Sequence, residues 1–529
     1  MPTLVHHLAD LTDDISSDGI AIIHKNQSWS YSQISELISR QAKAFSAINL
    51  QKQQRAAIFL PKQIETVVSF LAISRAGGIF VPINPLLKAA QVGYILGDCN
   101  VQVLVTSNSR LKGLTETLAC YPDLHTIVLV DTNVKDNHQA LSDKRILNWG
   151  EFLKLSSEKE NLPLIIDADV AAILYTSGST GKPKGVILSH RNIVAGAKTV
   201  AEYLKITSDD RLLAVLPFSF DYGLNQLMSA FLKKACCILM DYLLPRDVVK
   251  AVSKEMVTGL AAVPSLWIQL AQLEWPKEIN NHLRYMTNSG GKMPKSVLIA
   301  LRNSVPNSDF FLMYGLTEAF RSTYLPPDQL DNRPDSIGKA IPNAEVIVVR
   351  EDGSLCSPHE PGELLHRGSL VAMGYWNDPA GTTERFKPLP SLIQGIPSPE
   401  IVVWSGDTVT MDEEGYLYFV GRKDDMIKTS GYRVSPTEVE EIIYASGLVS
   451  EVVVLGAPDS QLGQIIVAVV TSEKSQHIDT KLIISICKKK LPGFMVPAHI
   501  EVLSFLPKNP NGKIDRNRLS IDFADILFN

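Results

Sequence analysis

The segment YTSGSTGKPKGVILSHRN, Tyr175 to Asn192, follows on the apolar run Ala171, Ala172, Ile173 and Leu174 and ends in a basic, strand-like segment. Between the two stand Thr176, Ser177, Gly178, Ser179, Thr180 and Gly181, then Lys182, Pro183, Lys184 and Gly185. Small residues let a backbone come close to a ligand and take φ > 0 where a turn needs it. Exposed N–H groups flanked by hydroxyls and two lysines make a concavity suited to phosphate oxygens. It is not a Walker A loop, which needs G-x-x-x-x-G-K-[ST], because Pro183 follows Lys182. A short glycine motif by itself reads as a surface turn. A long unbroken match directly after a buried strand favours an anion-binding loop.

On either side, β-rich apolar runs alternate with helical patterns through most of the chain. Strands are expected at Ala56–Leu60, Ile79–Ile83, Val101–Thr106, Ile127–Val130, Ala171–Tyr175, Leu212–Leu216, Cys236–Met240, Gly259–Val263 and Phe310–Met313. Ile64, Val67, Val68, Phe70, Leu71 and Ile73 recur at helical spacing between the first two. Such alternation predicts an α/β protein with parallel or mixed sheets flanked by helices. From Pro342 the texture changes to short strands and Gly-containing turns, a β-rich subdomain of about 342–421. The proline-rich run Lys387–Glu400 reads as a loop. Gly421 to Asp425 (GRKDD) marks the main boundary: residues 1–421 form a large N-terminal domain and 422–529 a small α+β C-terminal domain. The latter opens with a helix that has Ser435 as N-cap, Pro436 at its first position, Glu438 completing a capping box and Gly447 as the stop.

Composition narrows the class. The chain has 529 residues, 45% hydrophobic and 20% charged, with a net charge of −5. That is a globular composition without the basic footprint of a nucleic-acid binder. The six cysteines show no C-x-x-C spacing and read as buried hydrophobes in a reducing compartment. Acidic residues stand where a signal peptide would be apolar, and no window is long and apolar enough to span a membrane. A cytoplasmic protein is the expectation.

The phosphate loop resembles that of the AMP-forming adenylating enzymes, which include acyl-CoA synthetases, adenylation domains and luciferases, and further motifs follow in that family's order across the whole chain. The resemblance implies a large domain, a hinge at Asp424, a mobile small domain, and ATP with Mg²⁺ as cofactors. It assigns Thr176, Ser177, Gly178, Ser179, Thr180, Gly181 and Lys184 to the ATP phosphates. Asn288-Ser289-Gly290-Gly291-Lys292 resembles the segment whose backbone passes beside adenine and substrate. In Tyr314-Gly315-Leu316-Thr317-Glu318, Tyr314 would pack on adenine, Thr317 contact the α-phosphate and Glu318 hold Mg²⁺, a hard cation usually bound through one carboxylate plus phosphates. Asp407 would take both ribose hydroxyls, and Arg422 ribose and phosphate. Lys428, Gly431 and Tyr432 resemble the loop lining the thiol acceptor's path. Lys513, in Asn509-Pro510-Asn511-Gly512-Lys513, resembles the catalytic lysine brought to the carboxylate and α-phosphate.

The acid is read from Pro217-Phe218-Ser219-Phe220-Asp221-Tyr222-Gly223. A buried carboxylate requires a cationic partner, and a substrate ammonium would be one. Asp221 is therefore expected to anchor the amine of an amino acid, or else to cap the following helix. Phe218, Phe220, Tyr222, Met228 and Trp267 are expected for the most part to serve the core, with a small apolar pocket wall as the alternative. The chain looks similar to stand-alone L-proline adenylating ligases that charge the phosphopantetheine of a peptidyl carrier protein, and to AMP-forming ligases found with exosortase systems. Lys488, Lys489 and Lys490 read as a solvated helix end or as a patch for an acidic carrier. The alternative is a CoA ligase for an acid lacking an amine. A second is a non-catalytic nucleotide-binding module, against which Thr317, Glu318, Asp407, Arg422 and Lys513 together argue.

Overall fold

A computed structural model describes residues 5–13, 18–131, 139–157, 161–176, 183–390, 399–422, 425–429, 432–459, 462–472, 478–491 and 493–527. Every run expected as a strand is one, with ends shifted by a residue or two. A seven-stranded sheet has the order Arg145–Asn148, Thr126–Leu129, Val103–Thr106, Arg55–Phe59, Ile79–Pro82, Val170–Thr176, Lys184–Ser189. It is parallel except for its last pair, where the strands on either side of the phosphate loop run antiparallel. A larger, 14-stranded sheet has a parallel centre that includes Cys236–Leu239, Arg211–Ala214, Gly259–Ala262, Tyr285–Asn288 and Asp309–Tyr314.

Helices Ile64–Arg75 and Asp221–Leu232 are buried along almost their whole length, as helices enclosed between layers must be. Phe70 shows the join: its ring lies 5.0 Å from Phe80 of the smaller sheet and 6.2 Å from Phe218, which precedes the second helix. The β-rich subdomain is continuous with the larger sheet, because Ser336–Ala340 pairs with Thr323–Leu325 on one side and Leu417–Arg422 on the other. The loop expected over Lys387–Glu400 is corrected at its start: Phe386–Pro388 is a short strand on Ile401–Met411.

Beyond Arg422, helices Pro436–Tyr444 and Thr480–Lys490 pack with the sheet Glu451–Asp459, Gly463–Thr471 and His499–Leu503 in a separate core. Ser435 is the N-cap and Pro436 the first helical residue, as expected, but the capping box does not form. The Ser435 hydroxyl donates instead to the Val420 carbonyl across the domain boundary and lies 2.7 Å from Thr437 Oγ1. Gly447, with φ of +70°, ends the segment.

Candidate active site

Register brings the motifs together. Ala262, Asn288 and Leu312 are neighbours across three parallel strands, so Val263, Ser289–Gly291 and Tyr314–Glu318 emerge along one carboxyl edge. Open α/β sheets bind their ligands at that edge. Asn288 Nδ2 donates to the Gly291 carbonyl at 3.0 Å and closes the glycine turn.

Lys513 reaches this edge from the small domain. Its turn is closed by Asn509 N to Lys513 O at 2.7 Å and Lys513 N to Asn509 Oδ1 at 3.0 Å. The turn docks on the large domain through Asn84 Nδ2 to Pro510 O at 2.9 Å and Ser265 Oγ to Gly512 O at 2.8 Å. The Lys513 ammonium lies 4.9 Å from the Phe220 ring centroid. Gly290 has φ of +82°, and a Cβ there would meet Lys513 Cε at 2.8 Å, so the lysine passes where only glycine leaves room. Burial lowers the Lys513 pKa; Asp221 opposes this, Arg422 and Arg321 add to it, and Glu318 opposes.

Asp221 is the first residue of its helix and Phe220 the N-cap. Its buried carboxylate has partners within the chain: Arg321 Nη1 donates to Oδ2 at 2.7 Å and Thr317 Oγ1 to Oδ1 at 3.1 Å. The case for a substrate amine supposed that the chain supplies no cation, and Arg321 supplies one. Asp221 does not act through its side chain as the helix cap either. Of the residues offered for an apolar wall, Trp267 and Met228 serve the core: Trp267 packs 5.4 Å from Phe310 with its indole N–H on the Ala262 and Thr287 carbonyls, and Met228 is fully buried. Tyr222 bonds Thr287 Oγ1 at 2.5 Å, with the Arg321 guanidinium 4.8 Å above its ring.

Asp407 and Arg422 face each other across an antiparallel pair, Oδ1 to Nε 3.1 Å. Tyr314 donates its hydroxyl to the other Asp407 oxygen, and its ring stacks on His366 at 6.0 Å. Burial raises the Asp407 pKa against the pull of Arg422 and Tyr314. Asp407 Oδ1 is buried and ion-paired with Arg422 but receives no well-aligned hydrogen bond, which leaves it acceptor capacity for sugar hydroxyls. Glu318 accepts from Tyr375 at 2.5 Å and holds Ala372 N through its carbonyl at 2.8 Å. Gly315 lets the Arg321 backbone approach, its added Cβ falling 3.3 Å from Arg321 Cα. Thr176 ends its strand, and Lys184 lies 3.5 Å from Asp378 and 4.9 Å from the Tyr375 ring centroid. Ser177, Gly178, Ser179, Thr180, Gly181, Asp424 and Gly431 lie outside the described residues, as do the side chains of Lys428 and Tyr432. Sequence reasoning missed Arg321, Tyr375, Asn84 and Ser265. Only Arg321 left a signal, since a buried Asp221 demands a cation somewhere.

The pattern of the AMP-binding enzyme family matches residues 14–376, and that of the AMP-binding enzyme C-terminal domain matches residues 438–513. The chain belongs to the AMP-binding enzyme family. It is similar to the long-chain-fatty-acid–CoA ligase of Bacillus subtilis, 30% identical over 502 residues that cover 89% of this chain and 86% of the relative. It also matches a segment of tyrocidine synthase 3 of Brevibacillus parabrevis, 28% identical over 97% of this chain and 8% of that protein. Among solved structures, o-succinylbenzoate CoA synthetase from Bacillus subtilis in complex with ATP and magnesium ion superposes with a TM-score of 0.81 at 25% identity, covering 97% of this chain and 99% of that one. The anthranilate CoA ligase AuaEII bound to anthranoyl-AMP shares the fold, with a TM-score of 0.87 at 24% identity over 99% of this chain and 98% of that one. This AMP-binding enzyme is thus an AMP-forming acid ligase that uses ATP and Mg²⁺. No helix among its described residues is long and apolar enough to cross a membrane.

Proposed function

We propose that this enzyme activates a carboxylic acid lacking an α-amine as its acyl-adenylate and passes the acyl group to the thiol of CoA. The observation that carries this reading is Asp221, whose charge Arg321 already matches and whose oxygens accept from Arg321 and Thr317, so it does not call for a substrate ammonium. A carboxylate approaching a polyanionic triphosphate meets repulsion, and the leaving pyrophosphate carries further negative charge. Lys513 and the phosphate loop place positive charge where it develops, so positioning and electrostatics supply the catalysis. Mg²⁺, held by Glu318 and phosphate oxygens, adds neutralising charge when bound. Thr317 orients toward the α-phosphate, and Asp407 with Arg422 holds the ribose. Tyr314 packs beside the adenine, with the Gly290–Gly291 backbone as the other wall. Movement at Asp424 then withdraws Lys513 and exposes the thiol path at Lys428, Gly431 and Tyr432. The unpaired cysteines support a reducing, cytoplasmic setting.

A second reading keeps a small amino acid such as proline, loaded on the phosphopantetheine of a carrier protein. It is supported by the match to the tyrocidine synthase segment and by exposed Lys488, Lys489 and Lys490 at a helix end. ATP–pyrophosphate exchange over simple acids and amino acids, followed by acyl transfer to CoA or carrier, separates the two. Exchange driven by amine-free acids with CoA as acceptor is expected. Stimulation by proline alone, abolished in Asp221→Ala, would restore the second reading.

A further inference from the structure

One face of the helix Asp221–Leu232 presents Tyr222, Asn225, Gln226 and Ser229 to a small, partly open cavity of about 20 Å³, which Thr287 and Arg321 also line. That volume holds about one water-sized group. Most of the wall is apolar, with Leu212, Ala261 and Met313 among its residues, yet several of its buried polar atoms are without partners. Arg321 is only 3% exposed and Asn225 2%. The Nη1 of Arg321 is spent on Asp221, whereas its Nε and Nη2 have no hydrogen-bond partner, and neither does Asn225 Nδ2 or Gln226 Oε1. Buried polar groups are nearly always satisfied, so the three donors at this cavity call for an acceptor, and Gln226 Oε1 beside them calls for a donor.

The backbone is strained to put Arg321 there. Phe320 has φ of +53° and ψ of −40°, and Arg321 N donates to the Ala319 carbonyl at 2.6 Å. This is a γ-turn of the rare left-handed kind at a bulky residue, and such outliers gather at ligand sites. Gly196 makes room for it: a Cβ there would fall 2.4 Å from Phe320 Cδ1. The same Arg321 joins the cavity to the catalytic edge, through Asp221 to Thr317.

We infer that the acid is short and carries, at its far end, one small hydrogen-bond-accepting oxygen that Arg321 Nε and Nη2 and Asn225 Nδ2 receive. The inference rests on the acid-ligase reading and deepens it. It sets this enzyme apart from a ligase for long alkyl chains, because the cavity lacks the volume for one. Hydroxyl, carbonyl and carboxylate oxygens share the required chemistry, and a panel distinguishes them.

The test uses the full chain and ATP–pyrophosphate exchange with butyrate, 3-hydroxybutyrate, acetoacetate, succinate and hexadecanoate. At least one acceptor-bearing acid should exceed butyrate in kcat/KM on the order of 10²-fold or more, the discrimination expected when a buried donor set is left unmet. Asn225→Leu, and separately the paired Asp221→Asn/Arg321→Gln with a neutral contact in place of the ion pair, should drive that ratio toward one. A merely structural role would lower all acids alike and keep the ratio, which overturns the inference. Butyrate or hexadecanoate equal to the acceptor-bearing acids in the unaltered enzyme would overturn it too and leave the ligase reading standing. Exchange with none of the acids, simple or polar, would overturn both.

Discussion

Gly290→Ala isolates the approach of Lys513 without touching the lysine. The added Cβ would stand 2.8 Å from Lys513 Cε and 3.4 Å from its Nζ. Restoring an ordinary carbon contact of about 3.5 Å moves the lysine end by roughly 0.7 Å. Misplacement of about 1 Å can cost on the order of 10²-fold in rate, so kcat for acid-dependent ATP–pyrophosphate exchange should fall by roughly 10- to 10²-fold. Tenfold corresponds to about 1.4 kcal/mol of barrier. Alanine at φ of +82° also strains the backbone by about 1–2 kcal/mol, a small loss of stability visible in thermal unfolding. The decisive assay is a double-mutant cycle with Lys513→Ala, expected to lose on the order of 10²–10³ in rate alone. Once the ammonium is gone, Gly290→Ala should add little. If it costs the same factor in the Lys513→Ala background, the glycine does not act through the lysine and the reasoning fails. Thioester formation from preformed adenylate should be spared, because Lys513 is proposed to have left by then.

Two further outcomes follow from the same charges. The proposed mechanism needs the Lys513 ammonium, and burial lowers its pKa from the ordinary lysine value of 10.5. The kcat/KM for exchange should therefore fall as pH rises through that lowered pKa, at a less alkaline pH than a free lysine would give. Lys513→Arg, always protonated, should lose this limb, and an unchanged limb would assign it to another group. Arg321→Met strands the buried Asp221 carboxylate and should destabilise the fold by about 3–5 kcal/mol, whereas Asp221→Asn/Arg321→Gln should cost clearly less. Equal losses in urea unfolding would show that the pair is not the linkage it is taken for.

The parallel strands were legible because strands covered on both faces spell continuous apolar runs. Tyr285–Asn288 was not read as a strand, although it lies between Gly259–Ala262 and Asp309–Tyr314. Its sequence, YMTN, spends two of four positions on Thr287 and Asn288, which serve the cavity wall and the glycine turn. Local pattern fails where function displaces it. Ser435 carried every local sign of a capping box, yet a carbonyl from the other domain took its hydroxyl, which a local rule cannot foresee. The motif residues of the site stand out individually, and the register of three strands explains why they converge. The partner of Asp221 lies 100 residues away, and no spacing rule connects the two. A carboxylate placed in a core sequence announces that a cation exists, not whether chain or substrate brings it.

The position of Lys513 on the second domain follows from how lightly that domain is held. Among the described residues, its turn is docked by hydrogen bonds from Asn84 to Pro510 and Asn511 and from Ser265 to Gly512, with a half-exposed ion pair of Lys292 with Glu441 at 2.8 Å beside it. Net contributions are about 0.5–1.5 kcal/mol for each such hydrogen bond and about 0–1 kcal/mol for the ion pair. Each is small, and a ligand with differential affinity for the docked pose can shift such a balance. Burial of the ammonium works against the docked pose, and only Asp221 and Glu318 offset it from within the protein. A triphosphate and a carboxylate bring the counter-charge that is missing. In the proposed mechanism substrates therefore draw the lysine in, and loss of pyrophosphate removes much of what would keep it there. A lysine fixed on the large domain would stay over the adenylate and block the thiol. A lysine on a weakly docked domain leaves when its charge is no longer matched.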